Sequence, residues 1–337
     1  MPIRYECVIL SGMNKTGPDL SVIIPAYNEE ENIKLLYKET IEACDKLEKS
    51  YEIIFVDDGS KDNTFQIMKE LNRIDHKVKV IRLRKNFGQT AALSAGFDYA
   101  NGDTIITMDA DLQNDPADIH LLLDKMEEGF DLVSGWRVKR KDKFLSKRLP
   151  SKIANLLISL ITGVKLHDYG CTLKVFHKDV IKNMKLYGEL HRFIPAIASN
   201  IGVNIAEVQV NHRPRKHGKS NYTIFRFLKV ILDLLTVKFL LSYSTRPLQI
   251  FGLFGFISGG TGGILLLYLA YIRLILLDSI ANRPLLFVSI LLVIVGIQFI
   301  TLGLLAEIMV RAYHESVNKK IYFIRETIDS EDQNPSD

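Results

Sequence analysis

Thr104-Ile105-Ile106-Thr107-Met108-Asp109-Ala110-Asp111-Leu112-Gln113 is the stretch on which the fold turns. A short β-favouring apolar run ends in two carboxylates one residue apart, and at a strand end both can face one ligand. Oxygen donors of this kind suit a hard cation, Mg²⁺ or Mn²⁺, that keeps open positions for substrate phosphates. An Asp-x-Asp triplet alone fits a helix cap or a solvated turn as well, so its neighbours have to decide.

Upstream, Leu20–Pro25, Tyr51–Val56 and Val78–Leu83 read as buried strands ahead of the strand Thr104–Met108. Helical patterns run to about Lys49, over Asp62–Arg73 and over Gly88–Ala100. Strands alternating with helices imply an α/β domain, a parallel sheet with helices on both faces. Ligands of such sheets gather beyond the carboxyl ends of the strands. Asn28-Glu29, Asp57-Asp58-Gly59-Ser60 and Asp109-Ala110-Asp111 each follow an apolar strand, so three acidic clusters line one edge. They repel one another unless a cation or hydrogen-bond donors balance them. No G-x-G-x-x-G follows the first strand, which argues against a dinucleotide cofactor.

The 337 residues carry a net charge of +4, too small to suggest nucleic acid as a partner. Three cysteines, Cys7, Cys44 and Cys171, form no disulfide or zinc spacing. Residues 1–18 read as an extension with a strand at Tyr5–Leu10 and no signal peptide. Leu248–Tyr271 and Leu285–Ala306 contain no charged residue, and each is long enough to cross about 30 Å of hydrocarbon as a helix. The expected organisation is a catalytic domain over 19–222, an amphipathic interfacial helix over 223–244, spans over 247–272 and 284–308, and a cytoplasmic tail over 309–337. Gly255-x-x-x-Gly259 and Gly259-x-x-x-Gly263 predict a close helix contact, within one chain or in a homo-oligomer. Basic residues flanking the spans favour both termini on the cytoplasmic side.

Three further segments bear on chemistry. Leu132-Val-Ser-Gly-Trp136-Arg137 ends a strand and opens a basic run to Arg148 that includes Arg140; it suits a phosphate, an anionic membrane surface or a solvated loop. His167-Asp168-Tyr169-Gly170-Cys171 places an acid in a loop. Arg213-Pro-Arg215-Lys-His217-Gly218-Lys219-Ser220 is rich in phosphate donors, with a basic linker as the plainer alternative.

Taken together, Ser21–Glu29, Ile54–Ser60, Asn86-Phe87-Gly88-Gln89 and Met108–Gln113 resemble the family-two glycosyltransferases with the GT-A fold, over roughly residues 20 to 220. Within them the chain is similar to the polyprenyl-phosphate glycosyltransferases, a group that includes dolichyl-phosphate mannose synthase and bactoprenol glucosyltransferase. The resemblance implies that Pro25, Tyr27 and Glu29 cradle the nucleobase and ribose and that Asp58 meets the base edge. It implies that Asp109 and Asp111 hold the metal and diphosphate, with Gln113 completing the metal shell. It assigns Arg137, Arg140, Arg213, Arg215, Lys219 and Ser220 to the acceptor phosphate or the diphosphate. Asp168 falls at the acceptor-side acid, as base or as orienter; a monophosphate acceptor, largely ionised at neutral pH, needs little deprotonation.

The function that follows is a membrane-anchored, inverting, metal-dependent transferase. It would move a sugar, glucose from UDP-glucose by the two-span resemblance, onto undecaprenyl or another polyprenyl phosphate at the cytoplasmic membrane face. A processive polysaccharide synthase is the rival enzyme, although its Gln-x-x-Arg-Trp motif is missing around Trp136. A non-catalytic nucleotide-sugar sensor or membrane scaffold is the rival from another class.

Overall fold

The first strand, β1 (Leu20–Ala26), is buried at every position, and so is β2 (Tyr51–Asp57). Strands covered on both faces lose the polar alternation of a half-exposed sheet and become continuous apolar runs. The computed structural model describes residues 17–138, 162–182, 190–200, 202–214, 247–277, 284–316 and 322–329, with 155, 158, 159 and 184. Between the first strands lie α1 (Ile33–Asp45) and α2 (Thr64–Ile74), the latter burying Phe65, Met68 and Leu71 on one stripe. Then come β3 (Val78–Leu83), α3 (Gln89–Tyr99), β4 (Thr104–Thr107), a 3₁₀ turn at Pro116–Asp118, α4 (Ile119–Glu127) and β5 (Leu132–Trp136). β6 (Lys174–His177), α5 (Lys178–Lys182), a 3₁₀ turn at Leu190–Phe193, α6 (Ile194–Asn200) and β7 (Ile205–Gln209) follow.

Among the described residues, eight strands form one sheet in the order β7-β5-β6-β4-β1-β2-β3-β8, where β8 is Ile324–Ile328. All neighbours are parallel except β6, antiparallel to β4 and β5, and β8, antiparallel to β3. The sheet is therefore mixed and mostly parallel, with flanking helices. Pro25 is tolerated in a central strand because the β1–β4 ladder ends at Ile23. The carboxyl ends of β1, β2 and β4 lie side by side, which is where the acidic turns emerge.

β8 lies within the segment expected as a cytoplasmic tail over 309–337 and gives part of it a place in the sheet. Residues 322–329 return to the sheet and cover the backbone edge of β3, with Val80 opposite Ile328 and Arg82 opposite Glu326. An exposed strand edge presents unpaired N–H and C=O groups, and the Ile-x-x-x-Ile strand satisfies them. The interfacial helix expected over 223–244, the strand at Tyr5–Leu10 and the basic run beyond Val138 lie outside the described residues.

Contacts divide the chain into a unit formed by 1–233 with 320–337 and a second unit, 234–319. The second contains α7 (Pro247–Leu274) and α8 (Pro284–Ser316), two helices long and apolar enough to cross a membrane. Phe256, Leu267 and Phe287 are 74, 72 and 73 % exposed, as lipid-facing side chains would be. The glycine pattern is used within the chain: a Cβ on Gly296 would stand 2.6 Å from Gly259 N, and one on Gly255 would stand 2.9 Å from Gly296 O. Ser258 Oγ donates to Leu292 O across the same contact (2.8 Å). The second helix continues past its apolar part to Ser316.

Candidate active site

The turn after β1 places Asn28 in the left-handed region (φ 56°), which asparagine tolerates. Its amide donates to Ser60 Oγ (2.9 Å) and its Oδ1 accepts from Lys61 N (2.8 Å), joining this turn to the one after β2. Glu29 lies in the turn ahead of α1, its amide on Thr64 Oγ1 (2.8 Å) and its Oε2 accepting from Asn32 Nδ2 (2.6 Å). Tyr27 is 38 % exposed beside them.

Asp57 is fully buried and structural: Oδ1 accepts from Ser60 N (2.9 Å) and Oδ2 pairs with Arg82 Nε (3.3 Å). Asp58, also buried, accepts from Phe87 N (2.7 Å) and Gly88 N (2.9 Å), one bond to each oxygen. Its first task is thus to hold the loop ahead of α3. A carboxylate has further lone pairs for a ligand. Burial raises its pKa, and the two amides work against that rise. Gly59 (φ 71°) is needed between them, since a Cβ there would lie 2.5 Å from the Lys85 carbonyl carbon.

Asp109 and Asp111 follow β4. Asp109 Oδ1 accepts from Gln89 Nε2 (2.6 Å), and Asp111 Oδ1 accepts from Gln113 N (3.2 Å). Burial first, then the charge of Asp111, pushes the Asp109 carboxyl up to about 7. Leu112 between Asp111 and Gln113 has φ 58°, a conformation that costs a leucine roughly 1–3 kcal/mol and is held by a buried side chain. Gln113 meets its neighbours through the backbone, its carbonyl accepting from Arg213 N (3.0 Å).

The acceptor-side residues come together by longer routes. Arg137, just past β5, meets Asp168 in a two-pronged ion pair, Nε to Oδ2 at 2.6 Å and Nη2 to Oδ1 at 2.9 Å. Their side chains are 11 and 4 % exposed. Burial works against the guanidinium charge, but Asp168 outweighs it and the pKa of Arg137 rises. Arg137 was expected to face the acceptor phosphate; a guanidinium this deep needs a fixed counter-charge, and Asp168 is that group. Arg213 also has acidic partners in the chain, pairing with Glu39 (2.5 Å) and Asp115 (2.8 Å). Arg140, Arg215, Lys219 and Ser220 lie outside the described residues.

A recess beside these groups is lined by Pro25, Gln89, Asp109, Thr172, Lys174 and His191, among others. Lys174 is buried, its ammonium donates to Cys171 O, and burial lowers its pKa. His191 Nδ1 meets Thr90 Oγ1 at 2.9 Å. Glu207 on β7 accepts from the amides of His167 and Asp168. None of these three was anticipated. Lys174 and Glu207 had a signal, a charge inside a strand-like run; His191 had none.

The donor set at the β4 end can be tested for a metal. Two hard carboxylate oxygens on one short turn fit Mg²⁺ or Mn²⁺. Among the described residues no group of three or more His, Cys, Asp and Glu gathers, so a metal held here would need further ligands, such as a diphosphate.

Comparison with known proteins agrees with this geometry. The profile described as Glycosyl transferase family 2 matches residues 21–185. The chain is 42 % identical over 319 residues to a dodecaprenyl-phosphate galacturonate synthase from Rhizobium johnstonii, covering 94 % of both chains. It is 37 % identical over 312 residues to an undecaprenyl-phosphate 4-deoxy-4-formamido-L-arabinose transferase from Proteus mirabilis, covering 92 % of this chain and 94 % of that one. Among solved structures, glucosyl-3-phosphoglycerate synthase from Mycobacterium tuberculosis, in complex with Mn²⁺, UDP and phosphoglyceric acid, superposes with a TM-score of 0.52. It is 21 % identical and covers 66 % of this chain and 80 % of that one, which shows the shared fold. Acidic turns at the ends of β1, β2 and β4, two apolar C-terminal helices and relatives aligned nearly end to end make the chain a glycosyltransferase of family 2, a member of its polyprenyl-phosphate group.

Proposed function

We propose that the enzyme transfers a sugar from a UDP-linked donor to polyprenyl phosphate with inversion, at the cytoplasmic face of a membrane crossed by α7 and α8. An oxygen of the acceptor phosphate forms the new bond to the anomeric carbon, the bond from that carbon to the β-phosphate oxygen breaks, and UDP leaves. The observation that carries this is the meeting, at one sheet edge, of the Asp109 and Asp111 carboxylates with the closed Arg137–Asp168 pair. Asp109 and Asp111 would hold Mg²⁺ or Mn²⁺, which supplies charge neutralisation for the departing diphosphate. Pro25, Tyr27, Glu29 and Asp58 would bind the nucleoside. Asp168 orients Arg137 and takes no proton, because the acceptor is already ionised.

For the sugar, we favour galacturonate over the glucose expected from the number of spans. Its support is the 42 % identity to a galacturonate synthase across 94 % of both chains; the arabinose-derived sugar of the second relative is the next candidate. The test gives the detergent-solubilised protein polyprenyl phosphate with radiolabelled UDP-galacturonate, UDP-4-deoxy-4-formamido-L-arabinose or UDP-glucose, with Mg²⁺, Mn²⁺ or EDTA. Metal-dependent label in the lipid phase from UDP-galacturonate is the expected result. Transfer from UDP-glucose alone would overturn the sugar, and UDP binding without transfer from any donor would favour the sensor.

A further inference from the structure

β7 is the terminal strand of the sheet beside β5, in a register that sets Glu207 opposite Ser134. From there the Glu207 side chain, 9 % exposed, reaches the loop that carries Asp168. Its Oε1 accepts from Asp168 N (3.0 Å) and its two oxygens lie 2.9 and 2.8 Å from His167 N. Its Oε2 also meets His167 Nδ1 at 2.9 Å. One carboxylate therefore fixes two successive amides and the ring of the first residue.

The second half of the arrangement is on β5. The His167 ring lies flat on Trp136, with centroids 4.1 Å apart and planes inclined by 17°. Trp136 precedes Arg137, and His167 precedes Asp168. The stacked pair and the ion pair are thus consecutive rungs between the same two backbone segments, and Glu207 clamps one end of both. A two-pronged guanidinium–carboxylate contact depends on the mutual orientation of two planes. Arg137 alone cannot set the backbone from which Asp168 projects.

We infer that Glu207 is a positioning residue for transfer: it holds the backbone of Asp168 so that Asp168 presents the Arg137 guanidinium to the acceptor phosphate. This rests on the acceptor-side role proposed for the Arg137–Asp168 pair. A loop brace with no part in the reaction would affect stability alone, and the two alternatives separate in a double-mutant cycle.

The experiment compares wild type, Glu207→Gln, Asp168→Asn and the double variant in detergent, with kcat for transfer, UDP affinity by calorimetry and emission of the single tryptophan, Trp136. Glutamine keeps the shape but cannot accept through both termini. Glu207→Gln is expected to lower kcat about 10- to 100-fold, the scale of a displacement of about 1 Å. UDP affinity should stay within about 2-fold, Trp136 emission should shift as His167 leaves the stack, and the double variant should be no slower than Asp168→Asn. If Glu207→Gln does not fold, His167→Ala removes one arm of the clamp and the stack, and the same kcat loss and emission change are expected.

Multiplied losses in the double variant, a kcat within about 2-fold of wild type, or UDP affinity falling in step with kcat would each overturn the inference. Full activity in Asp168→Asn would remove the acid's role, and Glu207's with it. A wild type that transfers no sugar would sink the proposed function by itself. The clamp is then still read by Trp136, and unchanged emission in Glu207→Gln overturns it.

Discussion

The donor end of the sheet and the acceptor end handle charge in opposite ways. At the donor end, Asp58 and Asp109 sit among backbone amides and a glutamine, and burial raises both pKa values. At the acceptor end, Arg137 and Asp168 neutralise each other in a pair that keeps the arginine charged. One end gathers buried carboxylates and the other pairs its charges. On the proposed function, the difference teaches that the donor end would be completed by what binds there, whereas at the acceptor end the described charges already have partners in the chain and have to be kept in register.

The largest effect that would break this contrast is at Asp111. Alanine there removes one of two hard donors, and transfer should fall at least about 10³-fold, roughly 4 kcal/mol of transition-state stabilisation. Single-turnover transfer to polyprenyl phosphate measures it. Activity close to wild type would mean that Asp111 holds no metal and that the donor end is not waiting for one.

At the acceptor end the matching change is in stability. Arg137→Met strands a buried carboxylate, and removing one partner of such a pair costs about 3–5 kcal/mol. Arg137→Met/Asp168→Leu, which removes both charges, should recover most of that loss in thermal unfolding while remaining inactive. Equal instability of the single and double variants would show that the pair is not closed on itself.

The raised Asp109 pKa gives a pH test. Its folded-state value, about 7, stands above the ordinary carboxylate value of 3.8, so the folded protein binds this proton more tightly than the unfolded chain. Metal-free stability should therefore fall as pH rises from about 4 to about 7 and level off above. Asp109→Asn should flatten that slope. Because a metal competes with the same proton, Mn²⁺ affinity should weaken by up to about tenfold per pH unit below 7. Calorimetric titrations at pH 6 and pH 8 check this, and equal affinities would remove Asp109 from the metal's ligands.

The two ends also differ in how far the sequence announces them. The donor end was legible because each acid follows its own strand: β1 then Glu29, β2 then Asp58, β4 then Asp109. Local hydrophobic pattern is enough to find such strands. The acceptor end depends on β6 running against its neighbours, on Asp168 returning 31 residues later to Arg137, and on Glu207 reaching back 40 residues to His167. Family resemblance singled out Arg137 and Arg213 but not their partners, because Asp168, Glu39 and Asp115 are adjacent only once the sheet has formed. Glycine spacing announced the helix contact, and only the structure shows that Gly296 of the same chain receives it.

The return of β8 after the two apolar helices was the least legible feature, and it yields the smallest prediction, at the donor end. Phe323 packs on Phe87 with ring centroids 6.1 Å apart, and its carbonyl accepts from Arg84 N (2.9 Å). Tyr322 donates to Asp98 on α3 (2.6 Å). These contacts brace, from outside, the same loop whose Phe87 and Gly88 amides Asp58 holds from inside. An aromatic pair is worth about 0.5–1.5 kcal/mol beyond its buried area, so Phe323→Ala should weaken UDP binding by about 2- to 10-fold. Five strands separate β8 from β5, which leads into Arg137, so KM for polyprenyl phosphate should not change. If the acceptor KM moved instead, β8 would belong to the acceptor end and the division of the site into two independent ends would fail; a change in both would mean that the strand supports the fold as a whole.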